Sequence, residues 1–263
     1  MLENPKSGRV KRVAALARKK DRLQSGRFMV EGPQSVRELL LHRAELAETV
    51  YATMGTESWQ HELDRLASDH GVDIERVTEQ VLTAMSETVN PQGVLAVARL
   101  NETPLAEALN GARLIAILHE VRDPGNAGTV LRAADAAGAD AVVFAGESID
   151  PWHPKVVRST TGSLFHLPVA LAPTLGDAVA AARAAGLRVL AADVNGDELS
   201  PGAPVLAGPV AWVFGNEARG LSEADRALAD GALRLPIYGS AESLNLATAA
   251  SVCLYTTAFS QRA

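Results

Sequence analysis

The sequence predicts an α/β protein in two parts: a small N-terminal α/β domain, then a larger domain on a mostly parallel sheet. Three observations carry that expectation. Apolar runs at Leu114–Leu118, Ala141–Phe144, Leu187–Ala192, Val210–Phe214 and Leu233–Ile237 alternate with alanine-rich helical stretches. Continuous apolar strands between helices are covered on both faces, as parallel sheets are. A turn-rich stretch, Asn101-Glu102-Thr103-Pro104 and then Asn110-Gly111, interrupts the chain just before them. Finally, 263 residues suffice for two domains at roughly 100–200 residues each. The expected division is a basic arm and small domain over 1–100, a linker over 101–111 and the larger domain over 112–263.

Within the first part, Phe28-Met29-Val30-Glu31-Gly32-Pro33 reads as a short strand and turn. Ser35 to Leu46 has helical spacing through Val36, Leu39, Leu40 and Arg43. Thr49–Thr53 is strand-like, Glu57–His70 helical, and Val72–Val77 a strand. Leu82–Glu87 follows as a helical turn, and Gly93–Leu100 closes the domain as an apolar strand.

Charge is distributed unevenly. The chain carries a net −6, yet residues 1–27 hold nine basic residues against Glu3 and Asp21. That segment therefore carries +7 and the rest −13. Such an arm suits phosphate contacts while the body stays acidic; a solvated basic tail is the plain alternative. The candidate phosphate contacts are Arg9, Lys11, Arg12, Arg18, Lys19, Lys20, Arg22 and Arg27. Val10, Val13, Leu16 and Leu23 interleave with them and favour a helical arm. Cys253 is the single cysteine and lies in an apolar run, so it reads as a core thiol. No apolar stretch approaches the roughly 20 residues of a membrane span. The basic N-terminus lacks the apolar region of a signal peptide, so a cytoplasmic protein is expected. His42, His61, His70, His119, His153 and His166 show no ligand spacing along the chain, and no metal is expected.

Three segments carry polar side chains and glycines just after apolar runs, where α/β sheets build ligand sites. In the first, Asp123-Pro124-Gly125-Asn126-Ala127-Gly128 leads to Arg132. Asn126 is expected to cap the following helix, and Gly125 and Gly128 to let a ligand approach the backbone. Alone, it reads first as a capped crossover helix with an exposed Arg132–Asp135 pair. In the second, Gly215 and Gly220 bracket Glu217 after the strand Ala211-Trp212-Val213-Phe214. A ligand loop and a turn with a solvated glutamate are equally good readings. In the third, Leu235-Pro236 ends a strand and Gly239-Ser240 leads to a helix with Ser243 and Asn245 at its start. Apolar residues nearly all round that helix imply burial on more than one side, in a core or a subunit interface.

Taken together, Asn126-x5-Arg132, Gly215-x-Glu217-x2-Gly220 and Pro236-x2-Gly239-x3-Ser243-Leu244-Asn245 resemble the three motifs of the SpoU family of RNA ribose 2′-O-methyltransferases in type, spacing and order. The resemblance spans roughly residues 112–260. Ile237 stands where the family often has Met, a swap of similar volume. The resemblance implies a deep trefoil knot at the C-terminus and S-adenosyl-L-methionine bound by the loops at Gly215, Leu235, Ile237, Leu244 and Asn245. It also implies a reaction site of Arg132, Asn126, Glu217, Ser243 and Asn245, and a homodimer through the knotted domain. Arg27-Phe28-Met29-Val30-Glu31-Gly32 resembles a signature of the ribosomal-protein-like RNA-binding domain that precedes the knot in larger members. This favours rRNA as substrate, with tRNA the alternative. A non-catalytic ribosome-assembly factor is the competing class, set aside because every catalytic position is intact. A nucleotide-dependent oxidoreductase lacks its G-x-G-x-x-G after Leu114–Leu118.

Overall fold

The structure is a computed structural model that describes residues 1–263. Helices α1 (Gly8–Ala15) and α2 (Lys19–Ser25) open the chain, followed by β1 (Arg27–Glu31), α3 (Pro33–His42), β2 (Ala47–Thr53) and α4 (Ser58–His70). Then come β3 (Ile74–Val77), α5 (Glu79–Met85), β4 (Val94–Arg99), α6 (Leu105–Ala108), β5 (Leu114–His119) and α7 (Pro124–Ala137). The chain continues through β6 (Ala141–Ala145), α8 (Pro154–Thr160), β7 (Val169–Ala172), α9 (Leu175–Ala184) and β8 (Arg188–Glu198). It ends with β9 (Val210–Phe214), α10 (Glu223–Ala227), β10 (Gly231–Arg234) and α11 (Leu246–Arg262).

Two compact units result. The first comprises Met1–Asn101 with Trp152–His166, the second Glu102–Pro151 with Leu167–Ala263. The expected contiguous domain over 112–263 is thus interrupted: residues 152–166 leave it, and α8 packs on β1 of the first unit. Phe165 stacks on Phe28 there, ring centroids 6.4 Å apart, so apolar burial holds the excursion.

The first unit is built on a four-stranded sheet in the order β1-β4-β2-β3. Only the β2–β3 pair is parallel. The basic arm is no free tail. Ser7 caps α1 through the Val10 amide, and Val10, Val13 and Leu16 join Met29, Tyr51, Val77 and Leu95 in one buried cluster. Arg22 corrects the expectation of an RNA contact. Its side chain is buried and donates to the Leu16 and Ala17 carbonyls at 2.8 and 2.9 Å, so it secures the turn between α1 and α2.

The second unit contains six strands in the order β10-β8-β9-β5-β6-β7, every neighbouring pair parallel. Its central strands are buried along their length, save His119 at the end of β5, as their apolar runs require. The edge strand β7 has no counterpart among the sequence expectations. It is four residues long with one residue facing out, too short to print a pattern. In turn, β10 stops at Arg234, leaving Leu235-Pro236-Ile237 outside the sheet. Helix α11 runs alongside α7. Thr257, fully buried, accepts from Trp212 Nε1 of β9 at 2.9 Å, and Tyr255 Oη donates to the Ala136 carbonyl of α7. No helix is long and apolar enough to cross a membrane.

Arg22→Met keeps apolar bulk but strands the buried Leu16 carbonyl and the half-buried Ala17 carbonyl. Each unmade hydrogen bond to a buried acceptor costs about 1–3 kcal/mol. Urea unfolding should show a lower midpoint for this variant, whereas a midpoint equal to wild type would return Arg22 to the surface.

Candidate active site

The site lies at the C-terminal edge of the parallel sheet, where open α/β sheets bind ligands. Strand β9 ends in Phe214 and passes directly into Gly215, which is buried. A Cβ at Gly215 would lie 2.6 Å from the backbone of Gly220. The loop between them is closed by paired hydrogen bonds, Asn216 N to Gly220 O at 3.2 Å and Gly220 N to Asn216 O at 2.8 Å. Gly220 adopts φ +64° to complete the turn. The two glycines that bracket Glu217 therefore have separate reasons: close backbone approach at one, a left-handed conformation at the other.

The tight loop holds Glu217 over the start of α7. Its Oε1 accepts from the Asp123 amide at 2.9 Å and its Oε2 from the Arg122 amide at 3.2 Å. Asn126 Nδ2 donates to the same Oε1 at 3.5 Å. Asn126 Oδ1 in turn accepts from Asn245 Nδ2 at 2.9 Å. Asn245 is the N-cap of α11, its Oδ1 accepting from the Ala247 and Thr248 amides. One chain of hydrogen bonds, from Glu217 through Asn126 to Asn245, thus links the three sequence segments.

Two expectations need correction at this point. Asn126 is not the cap of α7. That place belongs to Asp123, whose Oδ1 accepts from the Asn126 amide at 2.7 Å, with Pro124 at the first helical position. Asn126 sits one turn inside, its amide group turned to its neighbours. Gly128 is buried on α7, so it serves helix packing rather than ligand approach.

Arg132 follows on α7, where it is exposed. It stands six residues beyond Asn126, roughly 9 Å along the helix axis, and takes no part in the Glu217–Asn126–Asn245 chain. Ser243 and Leu244 are exposed just before the α11 cap. From Leu235 to Leu244 the backbone makes no hydrogen bond within the protein. Ile237, Tyr238 and Leu244 are exposed along that stretch. A run of unpaired backbone donors and acceptors beside apolar side chains suits an adenosine, which has edges to pair and faces to cover.

Three residues outside the expected set also shape the site. Asn216 ties the β9 loop to β5 through Nδ2 to the Glu120 carbonyl at 2.9 Å, while its Oδ1 accepts from the Ala218 and Arg219 amides. Glu120 adopts φ +52°, strained for a non-glycine residue, and its carboxylate pairs with Arg219 at 2.6 Å. With Arg122, Glu217 and Ala218, Asn216 and Arg219 line a cleft of about 420 Å³. Asn216 had a sequence signal, since it sits inside the Gly215–Gly220 bracket; the strain at Glu120 had none.

In the first unit, Lys11, Arg12, Lys19 and Lys20 are exposed. Arg9 pairs with Glu75 at 2.5 Å, Arg18 with Asp21 at 2.6 Å, and Arg27 with Glu48. Arg9, Arg12 and Arg27 line a groove of about 620 Å³ beside Tyr51.

Comparison with known proteins decides the family. The SpoU rRNA methylase family matches residues 113–255, and the MRM3-like substrate binding domain matches residues 7–96. The chain belongs to the SpoU family. As a SpoU protein it is an S-adenosylmethionine-dependent RNA 2′-O-methyltransferase, and its C-terminal unit is the family's trefoil-knotted α/β domain. It is 35% identical to the 23S rRNA (guanosine(2553)-2′-O)-methyltransferase RlmP of Bacillus subtilis, with 97% of each chain covered. It is 32% identical to the 23S rRNA (uridine(2479)-2′-O)-methyltransferase of Streptomyces viridochromogenes, covering 92% of this chain and 86% of the relative. An AdoMet-bound rRNA methyltransferase from Sinorhizobium meliloti superposes with a TM-score of 0.83 at 31% identity, over 97% of this SpoU protein and 96% of the other chain.

Gly215→Ala drives a methyl group into the Gly220 backbone. Overpacking of this kind costs typically about 1–3 kcal/mol. Thermal unfolding should move down and S-adenosylmethionine affinity, measured by calorimetry, should fall with it. Unchanged affinity would separate the loop from the cofactor site.

Proposed function

We propose that this SpoU enzyme methylates a ribose 2′-hydroxyl of 23S rRNA in the cytoplasm. The observation that carries the reading is the hydrogen-bond chain Glu217–Asn126–Asn245, which joins the three family segments beside the unpaired backbone of Leu235–Leu244. Gly215, Leu235, Ile237, Leu244 and Asn245 hold the cofactor, with backbone groups around Leu235–Ile237 reading adenine. When bound, S-adenosylmethionine supplies an electrophilic methyl group on a sulfonium. Everything else falls to the chain and the RNA.

The 2′-hydroxyl oxygen must be aligned and must lose its proton as it attacks. A guanidinium stays protonated in proteins, so Arg132 cannot accept that proton. Arg132 instead holds the neighbouring phosphate and stabilises charge developing on the 2′-oxygen, and the proton leaves to a phosphate oxygen or water. Glu217 is a positioning residue, because both its oxygens are spent on the backbone before α7. Ser243 lies exposed at the mouth of the α11 cap and contacts the substrate ribose. The exposed cations Arg9, Lys11, Arg12, Arg18, Lys19, Lys20 and Arg27 grip the rRNA backbone, a contact that salt should weaken.

Homodimerisation belongs to the same reading. Val252, Tyr255 and Phe259 form an exposed apolar stripe on α11 at helical spacing. Arg132 lies one turn before Ala136, whose carbonyl accepts from Tyr255, so the stripe and Arg132 share one edge. Pairing through α11 would cover the stripe and bring the Arg132 of each copy to the interface.

The test is transfer of labelled methyl from S-adenosylmethionine to 23S rRNA, followed by nucleoside analysis. A 2′-O-methylnucleoside is expected; label confined to tRNA would replace the substrate class. Arg132→Ala should reduce turnover at least about a hundredfold with cofactor affinity near wild type, whereas near-normal turnover would remove Arg132 from catalysis. Phe259→Glu should convert a dimer to a monomer in light scattering and abolish transfer. A wild-type monomer would contradict the pairing.

A further inference from the structure

The first unit holds a side-chain cluster that shares no residue with the candidate active site. Glu38 and His42 lie one turn apart on α3, and His166 ends the excursion of 152–166, 128 residues further along the chain from Glu38. His166 Nε2 is 3.1 Å from Glu38 Oε2, and His42 Nε2 is 3.3 Å from the same oxygen. One ligand atom from each of the three residues lies within 4.8 Å of the other two. We infer that Glu38, His42 and His166 form a binding site for one divalent transition ion of the zinc class.

Several features point to a built site. Zinc bonds to imidazole nitrogen and carboxylate oxygen run about 2.0–2.2 Å, so neighbouring ligands of a tetrahedral centre stand roughly 3.3–3.5 Å apart. The two nitrogen–oxygen separations here are close to that edge. The other carboxylate oxygen, Oε1, accepts from Gln34 Nε2 and from Arg37, each at 2.8 Å. These bonds fix the carboxylate plane and present Oε2 to the imidazoles, as outer partners of metal ligands do. Arg37 also pairs with Glu62 at 2.8 Å, which offsets its repulsion of a cation. The imidazoles meet edge to face, 64° apart with centroids at 4.4 Å, so both nitrogens converge on the same oxygen.

The surroundings hold this arrangement in place. The Glu38 side chain is only 10% exposed. Gly162 adopts φ +105°, and a Cβ there would lie 2.3 Å from Glu38 Cγ, so the excursion comes flush against the glutamate. The next residues form a short turn in which Phe165 is buried, fixing the position of His166. His42 is about half exposed, which opens a fourth coordination position to solvent and gives an ion a path in. Two imidazoles with one carboxylate suit zinc and its transition-metal neighbours; magnesium and calcium prefer oxygen ligands. A bound ion would clamp α3 to the 152–166 excursion and so stabilise this unit.

The test uses tag-free, chelator-treated full-length protein, titrated with zinc by calorimetry and with cobalt(II) by visible absorption. One zinc per chain is expected, together with a cobalt spectrum of four or five coordination and a thermal midpoint that rises with zinc. His42→Gln, His166→Gln and Glu38→Gln should each weaken zinc at least about tenfold and remove the zinc-dependent rise. His61→Gln and His70→Gln, both exposed elsewhere in the chain, should behave as wild type. Circular dichroism identifies any variant that fails to fold, in which case the near-isosteric Glu38→Gln gives the result. Absent zinc binding by wild type, or equal binding by wild type and folded Glu38→Gln, would overturn the site.

Discussion

The site depends on one chain of hydrogen bonds. Glu217 holds the Arg122 and Asp123 amides just before α7, Asn126 passes the contact across, and Asn245 caps α11. None of these groups is deeply buried, so each bond alone contributes about 1 kcal/mol. Their effect comes from what they join: the loop after β9, the first turn of α7 and the start of the last helix. Those elements are held by burial. Trp212 anchors Thr257 of α11 from within the sheet, and Arg262 donates to the Ala137 carbonyl at the far end of α7. The core sets two helices side by side, and the polar chain then fixes their N-terminal ends, where the three motif segments of the chain meet.

Much of this was legible in the residues. Continuous apolar runs marked β5, β6 and β9 because a doubly covered strand has no polar face to hide the signal. Gly215 and Gly220 marked a tight loop, and its tightness has a cause in the 2.6 Å approach a Cβ at Gly215 would make to the Gly220 backbone. The place of Asn126 at the turn into α7 was legible, but its local role there was not. Asp123-Pro124 supplies the cap and first helical residue, which frees the Asn126 amide group for Glu217 and Asn245.

What stayed hidden depends on tertiary placement. Arg22 has the same local appearance as Arg18 or Lys19, yet only Arg22 turns inward to the Leu16 and Ala17 carbonyls. The excursion of Trp152–His166 into the first unit leaves no break in composition to mark it. His42 and His166 lack any ligand spacing, since nearly half of the chain separates them in sequence. The basic arm was visible as charge, but its packing through Val10, Val13 and Leu16 makes it part of the domain. That placement gives the cations a fixed surface, which a flexible tail would not provide.

The most direct test of the linked-loop site is a double-mutant cycle between Glu217→Gln and Asn245→Ala, read as S-adenosylmethionine affinity by calorimetry on folded protein. If the loops act as one unit through Asn126, the double variant should lose little more affinity than the worse single variant, a coupling of roughly 0.5–3 kcal/mol. Losses that simply add would show that the β9 loop and the α11 cap bind independently, and the hydrogen-bond chain would then be a contact without consequence for the site.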